Sequence, residues 1–434
     1  MPPRSGTVLL VFACAWIAFG QNSAGQADRQ LNIDSFEVVW KTVLEKHWDP
    51  KLGGLDWQKV HDELRPKVEA ARNKDEARDV ISAMLGRLNQ THFGVFPGDV
   101  YGSLEGKGQS GADADSGDAT AGVDVRVIDG RAIVIAVQAG SPAAEAGVKP
   151  GWEIVKVSGA EIAPVLKSIH EQFAKSTLLD FRLMRAVTSR LQGATNSSVP
   201  VEFLDGSDHT VSLKIFRTQP RGKVIHFGNL PPGYFWSETR KPRPGVGYVR
   251  FNEFMDPEDL SRTFEDAVES CRECKGFVVD VRGNPGGIGG LAMGVAGWFV
   301  DQGGLQLGTE YLRGLTMKFV IFPRAEPYRG PLAILVDGCS ASTAEIFAQG
   351  LKDVKRARIF GTHTAGAALP SVISRLPNGD GFQYAIANYI SQGGQPLEGI
   401  GVTPDEEVHP TRSQLLAGQD PILDAALDWI QKKH

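Results

Sequence analysis

Apolar positions along the chain change period twice, and those changes divide it into regions. Between residues 28 and 97 the period is helical. Phe36, Val39, Trp40, Val43, Leu44 and His47 recur three and four apart, as do Val80, Ile81, Met84, Leu85 and Leu88. His92 lies just beyond the second stripe, before a strand-like Phe93 to Phe96. Glu105 to Ala119 has no large apolar residue and reads as a linker. From Thr120 the pattern is that of strands, at Gly122–Val125, Ala132–Val137, Val199–Leu204 and Thr210–Phe216, with a long helical stretch from Ala163 to Gln192 set between them.

After Pro231, Pro232, Pro242 and Pro244 a third region alternates strand and helix, which predicts an α/β core. Val246–Phe251 reads as a strand. Asp256-Pro257 opens a helix with Leu260, Phe264, Val268 and Cys271 on one face, and Gly276–Val281 is a buried strand. Leu332–Val336 is a continuous apolar run of strand length, followed by small polar residues and a helix that starts at Thr343. Ser342 sits on that strand-to-helix turn. The turn exposes a hydroxyl beside free N–H groups and the positive end of a helix, which suits a nucleophile; a plain N-cap uses the same residue type.

A length of 434 residues gives room for two or three domains. The apolar fraction of 42% and charged fraction of 22% are those of an ordinary globular chain, and a net charge of −5 makes no case for a nucleic-acid partner. Only the start stands apart. One arginine precedes an apolar run from Val8 to Phe19 and then small polar residues, the pattern of a secretory signal peptide over residues 1–26. The run is short for a membrane span, no other is long enough, and export to a periplasm or the outside is expected. In that setting Cys271 and Cys274 can close a disulfide, whereas a single CxxC makes a zinc site unexpected. Cys339 reads as a buried small apolar residue. No metal or organic cofactor is called for.

Two resemblances follow from motifs. Residues 140–159, GSPAAEAGVKPGWEIVKVSG, resemble a PDZ domain of the bacterial protease type, covering about 120–218 with the helical stretch as an insertion. The resemblance implies a nest for a peptide carboxylate at Gly122, Val123, Asp124 and Val125, although the usual GLGF-like apolar set is missing. Further on, VVDVRGNPGG (278–287), SASTAEIFAQGLKDVKRARIFGTHTAGAA (340–368) and PLEGIGVTPDEEV (396–408) occur in that order. Together they resemble the S41 peptidase family of C-terminal processing and tricorn-type proteases. The resemblance implies a multidomain α/β protein: an N-terminal helical region (28–104), the PDZ-like β-rich domain (120–218) and a crotonase/ClpP-like α/β protease core (230–434).

Within that family the processing proteases pair the serine with a lysine after a glycine. Here Ala367 follows Gly366, so the chain is closer to the tricorn-like, lysine-lacking branch. That design implies Ser342 as nucleophile, His92 of Thr91-His92 as base and Glu398 as the acid behind it. It also implies an oxyanion site from the N–H of Thr343 and from Gly286-Gly287, where absent side chains let the backbone approach a carbonyl. The chemistry agrees: a hydroxyl is a poor nucleophile until an imidazole takes its proton, and a carboxylate then steadies the imidazolium. His363 competes with His92 as base, Ser340 with Ser342, and Glu398 can instead be structural. His47 and His61 read as bystanders, Asp280 and Arg282 as a core pair. The function expected is a secreted serine endopeptidase acting on a peptide or unfolded protein, with oligomeric state open. The alternative is an inactive S41-like protein that binds peptides or small apolar ligands.

Overall fold

The computed structural model describes residues 15–97, 119–226 and 233–433, and the side chains of 26 onward within these. The linker expected at 105–119 therefore lies, but for Ala119, outside the described residues, as does most of the leader pattern.

Three helices, Ala15–Lys46, Trp57–Ala70 and Lys74–Gly86, pack side by side. The second and third start where a side chain stands in for the missing helical acceptor: Asp56 accepts from Lys59 N–H and Asn73 from Glu76 N–H, each at 2.9 Å. Their shared core of Phe36, Val39, Trp57, Leu64, Ile81 and Met84 also takes in Leu376 and Phe382, from the other end of the chain. Leu44, expected on the buried stripe, is 40% exposed. The strand Gly94–Phe96 then pairs antiparallel with Gly381–Gln383, so three residues after His92 are pinned to a hairpin nearly three hundred positions away.

Residues 123–216 form a six-stranded sheet in which 123–128, 131–137, 153–157, 198–204 and 210–216 lie in that order with antiparallel neighbours, and the short strand 160–161 pairs with 153–157 off this path. Two helices, Ala163–Phe173 and Leu179–Leu191, break the stretch read as one helical insertion, and Leu166, Leu183, Val187 and Leu191 join the sheet's core. The Val123–Ile128 strand is an edge of this sheet.

The third unit is built on a six-stranded sheet in the order 237–240, 246–251, 276–280, 332–336, 358–361, 406–407. Every pair but the first is parallel. Gly276–Asp280 and Leu332–Val336 are buried at every residue, because helices cover both faces of a parallel sheet. Pro257–Glu269 and Thr343–Asp353 pack on one face, with Phe264, Phe347 and Leu351 fully buried; Pro421–Gln431 covers the other through Ile422, Ala426 and Ile430. Both strands that lead into the expected site end at the same edge, a usual place for ligands in such sheets. Cys271 and Cys274 are joined by a disulfide just after the first of these helices. Among the described residues no helix is long and apolar enough to cross a membrane.

Candidate active site

Ser342 follows the buried strand Leu332–Val336 and directly precedes the helix Thr343–Asp353. Its φ of 54° and ψ of −119° are unusual for a residue with a Cβ, a strain of order 1–3 kcal/mol that the surroundings must hold. They do so through one carboxylate. Glu345, fully buried, accepts from the N–H of Ser342 (2.9 Å), Gly366 (2.8 Å) and Ala367 (2.9 Å) and from the Thr364 hydroxyl (2.5 Å). Burial pushes this carboxyl up to about 7 against the pull of those four donors. The N–H groups of Glu345 and Ile346 go to the Ser342 carbonyl oxygen, at 2.8 and 3.0 Å. Ser340, the rival nucleophile, is fully buried and donates to the Val281 carbonyl at 2.7 Å.

A cavity of about 540 Å³ opens beside Ser342. His92, Gly287 and Thr343 line it with Ser342; Gly286 does not. Of the pair Gly286-Gly287, in which the second oxyanion donor was expected, Gly286 has its N–H held by Asn284 Oδ1 at 2.9 Å. Gly286 serves the site by closeness: with φ at 104°, a Cβ there would lie 2.7 Å from Ser342 Cβ and 2.8 Å from Thr343 N. Gly287 and Thr343, the remaining candidates for the oxyanion donors, both line the cavity. The Thr343 hydroxyl donates to the Gly287 carbonyl at 2.9 Å and ties the two segments together.

His92 also has a positive φ, 59°. Its Nδ1 lies 2.7 Å from Thr91 Oγ1, and that hydroxyl donates to Glu398 Oε2 at 2.8 Å. A hydroxyl has one proton. Having given it to the carboxylate, Thr91 must accept from Nδ1–H, which leaves the lone pair of a neutral imidazole on Nε2. Glu398 therefore reaches the ring through Thr91 and not directly, a residue that the motif reading quoted without giving it a role. Glu398 also accepts from Thr91 N–H (2.7 Å) and Ala368 N–H (3.2 Å), and burial raises its carboxyl above the ordinary value against these donors. Burial lowers the His92 imidazole to about 4. His363 lines no part of this cavity, and its Nδ1 faces the Thr364 carbonyl at 3.0 Å.

Two side chains set aside as bystanders or core pairs hold the frame. His47, buried, places Nε2 2.9 Å from Gln90 Oε1 and stacks on Phe93, so it grips the loop that carries His92 on both sides. Arg282 binds Asp280 beneath the glycine loop, as the sequence suggested, and also Asp420. Asp337, which the sequence did not single out, accepts from Gly283 N–H (2.8 Å), Cys339 N–H (3.0 Å) and Arg126 Nε (2.8 Å). Desolvation would raise its carboxyl, but Arg126 and these N–H groups hold it below the ordinary value. Arg126 belongs to the edge strand Val123–Ile128, and so does Asp124, which pairs with Arg250. Gly122, Val123, Asp124 and Val125 line no part of the Ser342 cavity, and the Gly122 carbonyl accepts from Ser141 Oγ at 3.3 Å. Ala367, where the processing proteases would place a lysine, gives its N–H to Glu345. Among the described residues no His, Cys, Asp and Glu group is arranged to hold a metal ion.

Residues 245–408 match the sequence profile described as Peptidase family S41, and residues 34–86 that described as the Tricorn protease C1 domain. The 245–408 segment, which holds Ser342 and Glu398, is thus similar to a family of serine-type peptidases. The chain is 24% identical over 397 residues to the carboxyl-terminal-processing protease of Synechocystis sp., covering 90% of this chain and 85% of that one. It is 26% identical over 390 residues to the chloroplastic C-terminal processing peptidase of Tetradesmus obliquus, covering 86% and 77%. Among solved structures, the photosystem II D1 C-terminal processing protease superposes with a TM-score of 0.57 at 24% identity, over 88% of this chain and 93% of that one. Mature CPAF superposes with a TM-score of 0.60 at 15% identity, over 93% and 96%. The S41 match spans Ser342, Glu398 and the glycine loop; His92 lies outside both matched segments.

Proposed function

We propose that the protein is an exported serine endopeptidase of the S41 type that cleaves extended peptides or protein tails through an acyl-enzyme, with His92 rather than a lysine as base. The observation that carries the reading is the single cavity bordered by Ser342, by a histidine with Nδ1 already engaged, and by two backbone donors. Ser342 Oγ attacks the scissile carbonyl carbon and its proton passes to His92 Nε2. Nδ1–H stays on Thr91, whose hydroxyl leads to the Glu398 carboxylate, so the imidazolium that forms is compensated at one remove. The oxyanion takes the N–H groups of Gly287 and Thr343. Collapse of the tetrahedral adduct expels the amine, which takes the proton from Nε2. Water then attacks the acyl-enzyme with His92 again as base.

Peptide tails as substrates agree with the carboxyl-terminal-processing names of the relatives. In that reading the domain at 120–218 is PDZ-like and offers its edge strand near Gly122–Val125 to a tail. Export agrees with the leader pattern and with a disulfide at Cys271–Cys274, since such bonds persist in oxidising compartments.

The test is a fluorophosphonate probe followed by hydrolysis of denatured casein. Labelling at Ser342 and activity lost in Ser342→Ala support the peptidase. No labelling, together with retained binding of a peptide or small apolar ligand, would make the protein an inactive binder on the same scaffold.

A further inference from the structure

The cavity beside Ser342 carries a carboxyl that the chemistry above does not use. Much of the rest of its wall is apolar, from Ile288, Ile346, Leu369, Ile373 and Ile386, and two of its neutral polar side chains, Gln383 and Ser371, are hydrogen-bonded to each other at 2.8 Å. Glu310 is the single carboxylate among its lining residues. It comes from the strand Gln306–Leu312, the central one of three, and is only 7% exposed. Among the described residues no hydrogen bond or ion pair reaches it, and burial alone pushes its carboxyl up to about 7. Its cross-strand partner Tyr389 has a hydroxyl that is buried without a hydrogen-bond partner.

An unpaired carboxylate in an apolar wall is costly, and the usual remedy is a cation or a full set of donors. The core supplies such remedies for its other buried carboxylates: Asp280 has Arg282, Asp337 has Arg126, and Glu345 has four donors. Glu310 has none and borders open space next to the nucleophile. A lysine or arginine side chain would fill both needs, because its methylene stem suits apolar walls while its charged head seeks an acid.

We infer that Glu310 is a specificity residue, and that the substrate side chain entering the Ser342 cavity is a basic one, lysine or arginine. This rests on the peptidase reading for its consequence in turnover, but recognition of the basic side chain does not need turnover, and the test separates the two. Paired peptides differing only in lysine against norleucine are hydrolysed by wild type and by Glu310→Gln. The expected wild-type preference in kcat/KM is at least tenfold for lysine, falling to near one in Glu310→Gln; the ratio within each protein cancels any general loss of fold. Equal rates in wild type, or a ratio that Glu310→Gln leaves unchanged, overturn the inference. If wild type cleaves neither peptide, the peptidase reading fails instead, and binding decides. In the Ser342→Ala protein, calorimetry should give at least tenfold tighter binding of the lysine peptide, lost in Ser342→Ala/Glu310→Gln. Equal affinity for both peptides there would also overturn it.

Discussion

The Thr91 hydroxyl donates to Glu398 Oε2 across 2.8 Å while standing 2.7 Å from His92 Nδ1, so one side chain couples residues from opposite ends of the polypeptide. In the proposed mechanism this arrangement makes Thr91 a positioning residue for His92. Thr91→Val keeps the shape and removes the hydroxyl; a hydrogen bond to a charged group is worth about 1.5–3 kcal/mol, or roughly 10–100-fold in rate. That loss is expected in kcat with KM little changed, and Thr91→Ser should restore most of it. A valine variant as active as wild type, measured on a peptide substrate, would remove Thr91 from the relay.

Burial sets the pH behaviour of the same histidine. With its imidazole lowered to about 4, His92 is neutral and able to accept a proton throughout the physiological range. The acid limb of kcat/KM should therefore fall near pH 4, not near the 6.5 of a free histidine. Glu310 borders the same cavity with its carboxyl at about 7, so the profile is best taken in Glu310→Gln with an uncharged peptide. An acid limb at pH 6.5 in that protein would show an imidazole in contact with water.

Glu345 holds the nucleophile turn to the loop of Gly366 and Ala367 through four accepted hydrogen bonds. Glu345→Ala would leave four buried donors unsatisfied at about 1–3 kcal/mol each before relaxation, so a net loss of several kcal/mol is expected. The readout is the denaturant midpoint, with Ser342 labelling falling in parallel. A variant that keeps both would mean that the turn is held by its backbone alone.

Arg126 and Asp337 form an ion pair with side chains 17% and 11% exposed, joining the edge strand Val123–Ile128 to the turn before Ser342, where Asp337 also holds Gly283 N–H of the glycine loop. Arg126→Ala strands a buried carboxylate, which in such pairs costs about 3–5 kcal/mol. Adding Asp337→Asn should recover part of that loss. A double variant no more stable than Arg126→Ala would show that the charge is not what the arginine compensates.

Oxyanion geometry can be tested from the side of the glycine loop. A Cβ at Gly287 would come within 2.4 Å of the Phe254 carbonyl oxygen, at a φ of 133° that L side chains avoid. Gly287→Ala should therefore shift that N–H and lower kcat by roughly 10²-fold or more, the effect of losing one oxyanion donor. Unchanged kcat would place the donor elsewhere.

Much of the scaffold was legible in the chain because it is local. Continuous apolar runs mark Gly276–Asp280 and Leu332–Val336, Asp256 with Pro257 marks a helix start, and three ordered motifs mark Ser342, Glu398 and the glycine loop. Such signals depend on neighbours in sequence, through period, capping and turn chemistry. The active centre does not. His92 reaches Ser342's cavity because Gly94–Phe96 pairs with Gly381–Gln383, and no local pattern announces a partner so distant. Thr91 gains its role only once folding brings Glu398 beside it, and Gly286 loses one because Asn284 takes its N–H. Glu310, a single acid in an exposed-looking strand pattern, becomes conspicuous only when the surrounding sheet and helices strip away its water and leave it facing a cavity. Residue types and local elements were set by the sequence read alone; which groups meet, and which are left without a partner, was decided by long-range packing.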